Sequence, residues 1–78
     1  MRRYFFDHAE NGDYFPDREG TVCPDVTSAY EVAKRRIERL FRRRLREGRM
    51  PLGGYVSVRL DSGDRLMFVP YRDVLSQI

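Results

Sequence analysis

A single cysteine, a single histidine and no apolar run approaching the roughly 20 residues that cross a bilayer set the first bounds on this chain. The lone Cys23 excludes an internal disulfide and points to a reducing compartment. It has no Cys-x-x-Cys partner, and His8 has no second histidine at ligand spacing. Neither therefore builds a nucleophile–base pair, and Ser28 and Ser62 read as capping and turning residues. Glycines at 12, 20, 53, 54 and 63 compose no phosphate-cradling motif. The acids Asp7, Glu10, Asp13, Asp17, Glu19 and Asp25 fit no EF-hand spacing and suit turns for backbone reasons. The opening MRRYFFDHAE meets acids before any sustained apolar stretch, so no signal peptide is read there. These absences predict a cytoplasmic protein, not an enzyme, with no cofactor, no metal and no membrane partner.

What is present is enough for one folded domain over residues 1–78. The 41% hydrophobic share and ten aromatics, five Tyr and five Phe, exceed what a disordered chain carries. Seventy-eight residues close one small core and not two. There is no internal repeat and no low-complexity linker.

Charge is distributed unevenly. Nine of the 15 basic residues fall within positions 34–49. Over Val26–Arg49 those nine cations meet three acids, a net of +6, while the remaining chain carries −3. The overall +3 thus conceals one basic segment on a mildly acidic body, a pattern that restricts partners without naming one.

Periodicity places the elements. Arg3–His8 is rich in β-formers and runs into Asn11-Gly12, the strongest short hairpin signal, because both positions tolerate φ > 0. A second strand follows at about Asp13–Asp17, shortened by Pro16, and Arg18–Asp25 reads as a connector. A helix starts at Asp25 or, through a Ser28–Glu31 capping box, one turn later. Val26, Ala29, Tyr30, Ala33, Ile37, Leu40 and Phe41 share one face, and Gly48 is a stop. Arg44 falls on that apolar stripe, so the last turn projects past the core or Arg44 snorkels. A loop through Pro51, Gly53 and Gly54 leads to alternating Tyr55–Leu60, a turn at Asp61–Asp64, and a strand at Arg65–Val69 ended by Pro70. Val74, Leu75 and Ile78 allow one helical turn or a docked extension in the tail.

The expected fold is a two-layer α+β domain in β-β-α-β-β order. Two antiparallel hairpins form one sheet, and a helix over Val26–Glu47 crosses one face. The expected core is Tyr4, Phe6, Phe15, Val26, Tyr30, Ala33, Ile37, Leu40, Val56, Val58, Leu60, Leu66 and Phe68. The other face is expected to show Phe5, Tyr55, Met67 and Val69 beside Arg59, a surface suited to a homodimer. The element order and missing signature segments exclude an RNA-binding sheet of the RRM type.

The segments Arg3-Tyr4-Phe5-Phe6-Asp7, Pro16-Asp17-Arg18-Glu19-Gly20 and Pro24–Ala33 resemble a family of small bacterial proteins. That family is a domain of unknown function, and the likeness covers nearly the whole chain. It implies the layout of a hairpin, an acidic Asp-x-x-Gly turn, an Asp-capped basic helix and a second hairpin, and it implies no activity. Residues 16–20 are more loosely similar to the turn of HicB-type antitoxin N-domains. Here the helix is more basic, and no DNA-binding segment follows.

On a helical wheel Arg35, Arg39, Arg42 and Arg46 form a stripe opposite the Ile37–Leu40 face, with Arg36 and Arg43 on one flank. Guanidinium forks at this spacing match phosphates or carboxylates. The alternative is a solvated face braced by Glu31–Arg35 and Glu38–Arg42 pairs. The expected function is binding or regulation through Arg35, Arg39, Arg42, Arg43 and Arg46 and the open sheet face. The expected partner is an acidic protein or a second copy, with the acidic hairpin of one copy against the basic helix of the other. Nucleic acid held by its phosphates is the alternative partner.

Overall fold

A computed structural model describes residues 1–48 and 53–76 of the chain. It has the expected two-layer α+β form: an antiparallel sheet with one main helix across one face. Strand β1 (Arg2–Glu10) turns through Asn11 and Gly12, both at positive φ, into β2 (Asp13–Phe15). Strand β3 (Thr21–Cys23) precedes helix α1 (Val26–Arg46). Strands β4 (Tyr55–Leu60) and β5 (Arg65–Pro70) form the second hairpin, and a one-turn helix α2 (Tyr71–Leu75) ends the described chain. Pro51 and Ile78 lie outside the described residues.

Strand order, which the sequence leaves open, is β2-β1-β4-β5, with β3 paired to β1 beside β2. The connector expected at 18–25 therefore supplies a fifth strand. Strands β2 and β3 occupy the same edge of β1, opposite residues 8–10 and 2–4 respectively. Between them the edge of β1 has no strand, and Asp17 fills the gap. Its Oδ2 accepts the Phe6 N–H (3.1 Å), and its Oδ1 accepts those of Glu19 and Gly20 (3.1 Å each). Its own N–H donates to Asp7 Oδ1 at 2.8 Å. The Pro16–Gly20 motif is thus a plug that completes a broken edge strand, meeting backbone donors that burial would otherwise orphan.

Helix α1 starts at Asp25, whose carboxylate accepts the Ser28 N–H at 2.8 Å, so the cap is Asp25 and not Ser28. Ala29, Ala33, Ile37 and Leu40 pack on Tyr4, Phe6, Val56, Val58 and Leu60. Helix α2 adds the fully buried Tyr71 and Val74, which the sequence reading omitted from the core, and Leu75 packs against it.

Four expected core residues lie outside. Phe15 is 53% exposed, and Val26, Leu66 and Phe68 are exposed as well; Tyr30 is only half-buried. Val26 is the first helical residue and is 46% exposed, while Phe15 lies on the short edge strand. For β5 the cause is register. Val56 pairs with Val69 and Val58 with Met67, so Met67 and Val69 share the helix-facing side, and Val69 is only 3% exposed. Met67 and Val69 therefore leave the expected open face, and Phe68, opposite Ser57, takes their place. Leu66-Met67-Phe68-Val69 is apolar throughout, so its parity is not written in the sequence. The register shift between Val58 and Arg59 decides it.

Candidate functional site

The face of the sheet away from α1 carries the expected Arg59, and an acid beneath it that the expected set of Phe5, Tyr55, Met67 and Val69 does not include. Asp7, on β1, is fully buried there and receives Arg59 Nε at 2.7 Å, with Arg65 Nη1 at 3.7 Å. Arg59 lies over the Phe5 ring at 4.6 Å and donates to the Asp17 carbonyl at 3.2 Å, leaving Phe5 half-buried. Arg65 bonds Ser57 Oγ and reaches the Tyr14 hydroxyl at 3.1 Å. Burial pushes the Asp7 carboxyl up, but Arg59, the Asp17 N–H and Tyr14 together hold it below its ordinary range. Around this polar centre Tyr14, Tyr55, Leu66 and Phe68 stay exposed, with Tyr55 and Phe68 edge to face at 5.4 Å.

On α1 the cations divide into two sets. Arg36 turns toward the sheet, bonding Thr21 Oγ1 at 2.7 Å, lying 4.7 Å over the Phe6 ring and 3.7 Å from Asp17. Arg44 neither projects past the core nor snorkels. It turns inward to Glu10, a pair whose side chains are 18% and 8% exposed. Glu31 approaches Lys34 at 4.0 Å, and the Glu31–Arg35 and Glu38–Arg42 braces do not form. Arg35, Arg39, Arg42, Arg43 and Arg46 are exposed, and among the described residues none has a carboxylate within 4.0 Å. The expected contact set is thus the free set. The acids expected to reach a second copy are largely spent within the chain: Asp7, Glu10 and Asp17 on arginines, and Asp25 on the helix cap.

Arg39 and Arg43 line a cleft of about 490 Å³ between α1 and the β1–β2 hairpin. Phe15 and Leu40 are its apolar members, and Arg36 and Arg44 are the neutralised cations of its walls. His8 and Glu10 complete it from β1.

Behind the cleft runs a buried chain of hydrogen bonds. The Tyr71 hydroxyl donates to Glu10 Oε2 at 3.0 Å, and Arg44 occupies Glu10 Oε1. Tyr71 O is also 3.0 Å from His8 Nδ1. With the phenolic proton directed at Glu10, His8 donates from Nδ1, and its Nε2 is left the acceptor. Burial and the nearby Arg36 push His8 down, so it is neutral at physiological pH. Burial pushes Glu10 up, but Arg44 and Tyr71 outweigh it and hold the carboxyl below its ordinary range. Burial and Glu10 push the Tyr71 phenol up. Among the described residues no buried side-chain nitrogen or oxygen lacks a partner, so this wall is held in place before anything enters the cleft.

Sequence reasoning missed Phe15, His8 and Arg36 as parts of one site. A signal existed: the two-residue Asn11-Gly12 turn pairs Glu10 with Asp13 and hence His8 with Phe15, as observed.

The fold and its arginine-lined cleft define a small two-layer α+β domain with one strongly cationic side. A family model described as a domain of unknown function, DUF6894, matches residues 3–72, and the chain belongs to that family. No curated protein and no solved structure matches the chain. No helix among the described residues is long and apolar enough to cross a membrane.

Proposed function

We propose that this domain is a non-enzymatic binding protein that holds a nucleic acid by its phosphates along the exposed side of α1. The observation that carries this reading is the division of the helix cations. Arg36 and Arg44 are consumed by Asp17 and Glu10, while Arg35, Arg39, Arg42, Arg43 and Arg46 are exposed with no carboxylate within 4.0 Å among the described residues. Five unpaired guanidiniums on about three turns of one helix repel one another, and a polyanion offers the relief. Part of the cluster has a local purpose, because Arg43, Arg44 and Arg46 also complement the C-terminal end of the helix dipole. Arg35, Arg39 and Arg42 lie too far upstream for that effect.

Binding to random-sequence oligonucleotides, followed by anisotropy across a salt titration, tests this. Four phosphate contacts give a log–log salt slope of about −3.6 on duplex DNA. Arg39→Glu with Arg42→Glu should abolish binding without unfolding the protein, since both side chains are exposed. Absence of binding to any nucleic acid at 50 mM salt overturns the reading, and binding to an acidic protein alone returns the stripe to a protein contact.

A second reading, association with a second copy, rests on the open sheet face. Phe68 is 59% exposed there beside Tyr55 and Leu66, and among the described residues β5 is a sheet edge with no strand beyond it. Antiparallel pairing of β5 with the β5 of another copy would continue the sheet and shelter that patch. Sedimentation equilibrium at tens of micromolar should then show a concentration-dependent dimer that Phe68→Glu dissociates; a monomer throughout removes it.

A further inference from the structure

The proposed polyanion contact says nothing about whether the nucleic acid is paired, and the cleft beside it does. We propose that the cleft between α1 and the β1–β2 hairpin seats an unpaired base of a single-stranded nucleic acid against Phe15, while Arg39 and Arg43 hold the flanking phosphates. This rests on the phosphate-binding reading above and goes further by naming the strand state and the base-contacting residue.

Phe15 is more than half exposed although it is one of the largest apolar side chains in the chain, and it lines the same cleft as Arg39 and Arg43, which among the described residues have no carboxylate within 4.0 Å. An exposed aromatic beside free guanidiniums is the pair of features that single strands use, a π-face for the base and a fork for the phosphate. The volume, about 490 Å³, lies within the usual range of small-ligand sites. The wall carries no loose charge to oppose an anion. Both Glu10 oxygens are occupied, by Arg44 and Tyr71, and His8 is tied to Tyr71 through Nδ1. With Nε2 left as an acceptor, His8, which lines the cleft, can accept a hydrogen bond from a base amino group, which no phosphodiester could donate. A base within a duplex is stacked on both faces and is denied to Phe15. A solvated surface explains the arginines but not the pocket beneath them, and an acidic peptide explains the charge but has no use for the ring.

The test is anisotropy of labelled 15-residue single strands and duplexes of the same sequences, with poly-glutamate of equal charge as a further probe. The full chain is used as wild type and as Phe15→Ala, Phe15→Tyr and Arg39→Glu/Arg42→Glu. The expected result is that single strands bind more tightly than duplexes. Phe15→Ala should weaken single-strand binding about 5- to 100-fold, the loss of one stacked base, while leaving duplex binding unchanged. Phe15→Tyr, which keeps the ring, should bind as wild type does. Equal binding of single strands by wild type and Phe15→Ala overturns the base-seating proposal while leaving the phosphate reading intact. Poly-glutamate binding as tightly as the oligonucleotides overturns it in favour of an acidic protein. No binding to any probe overturns both, and Arg39→Glu/Arg42→Glu binding like wild type places the contact elsewhere and overturns both as well.

Discussion

Arg59 sets its Nε 2.7 Å from Oδ2 of the fully buried Asp7, closing an ion pair between β1 and β4 on the side of the sheet that α1 does not cover. Phe5 stacks beneath the guanidinium, and the same carboxylate takes the Asp17 N–H through its other oxygen. One acid thus ties together two strands and the loop that plugs the broken edge.

Removing its charge should be severe. Asp7→Asn keeps the volume but leaves Arg59 without its counter-ion, and breaking a largely buried pair costs about 3–5 kcal/mol. For a domain of this size that approaches the whole net stability. Arg59→Lys should not serve as a substitute, because a point charge cannot reproduce the Nε donor and the second bond to the Asp17 carbonyl. Urea unfolding followed by far-UV circular dichroism measures both; a shift under about 1 kcal/mol for Asp7→Asn contradicts the assignment.

Stability should fall on acidification through the carboxylates. Asp7, Glu10 and Asp17 are each held below their ordinary range, so near pH 4 the unfolded chain binds more protons than the folded one. Their contribution is fully present above about pH 5 and is lost as pH drops through the depressed folded values. The depressed His8 acts in the same direction at higher pH, with stability declining as pH falls below its ordinary value of about 6.5. Thermal midpoints from pH 7 to pH 3 should decline in two stages, and His8→Gln should remove the upper one.

Two glycines should resist substitution for different reasons from the rest. At Gly54, with φ +151, a Cβ would stand 2.7 Å from the Ala9 carbonyl and 2.8 Å from the buried Tyr71 ring. At Gly20, with φ +73, it would meet Arg3 Cγ at 2.8 Å and Phe5 at 3.0 Å. Gly12 has φ +82 but nothing within 4 Å. Alanine should therefore cost about 1–2 kcal/mol at Gly12, from backbone strain alone. It should cost more at Gly20 and most at Gly54, where backbone must move. Denaturation midpoints of the three variants give the order, and an equal loss at all three would show that the close approaches do not matter.

Cys23 falls in the connector expected at 18–25, but the structure places it at the end of β3. It is 2% exposed among the core residues, its thiol directed at the Thr21 carbonyl 3.8 Å away. Cys23→Ser should cost about 1–3 kcal/mol by burying a hydroxyl, and Cys23→Ala less. Differential scanning calorimetry separates the two; the thiol itself is given no role.

Local chemistry determined much of this molecule. The Asn11-Gly12 turn, the 3.6-residue spacing from Ala29 to Leu40 and the alternation of Tyr55–Leu60 each depend on neighbours within a few positions and are legible as sequence, and Asp25 is one of the two caps the sequence offers. A helical wheel alone also separates Arg35, Arg39 and Arg42 from the core face, but that Glu31 turns to Lys34 and leaves Arg35 unpaired is seen only in the structure. What tertiary structure decided involves partners far apart in the chain. The pairing of Arg44 with Glu10 spans 34 positions and that of Arg59 with Asp7 spans 52. The β5 register depends on one irregularity in its pairing with β4, and the apolar run Leu66–Val69 fits either parity until that pairing is made. Asp17 looked like a turn acid and became an edge plug because two short strands left β1 unpaired between them. Opposite charges at such separations meet only where the sheet and helix bring them, and desolvation makes those meetings selective. The cleft has the same origin: Phe15 and Arg43 are 28 positions apart, and only the hairpin folding up beside the helix makes them one site.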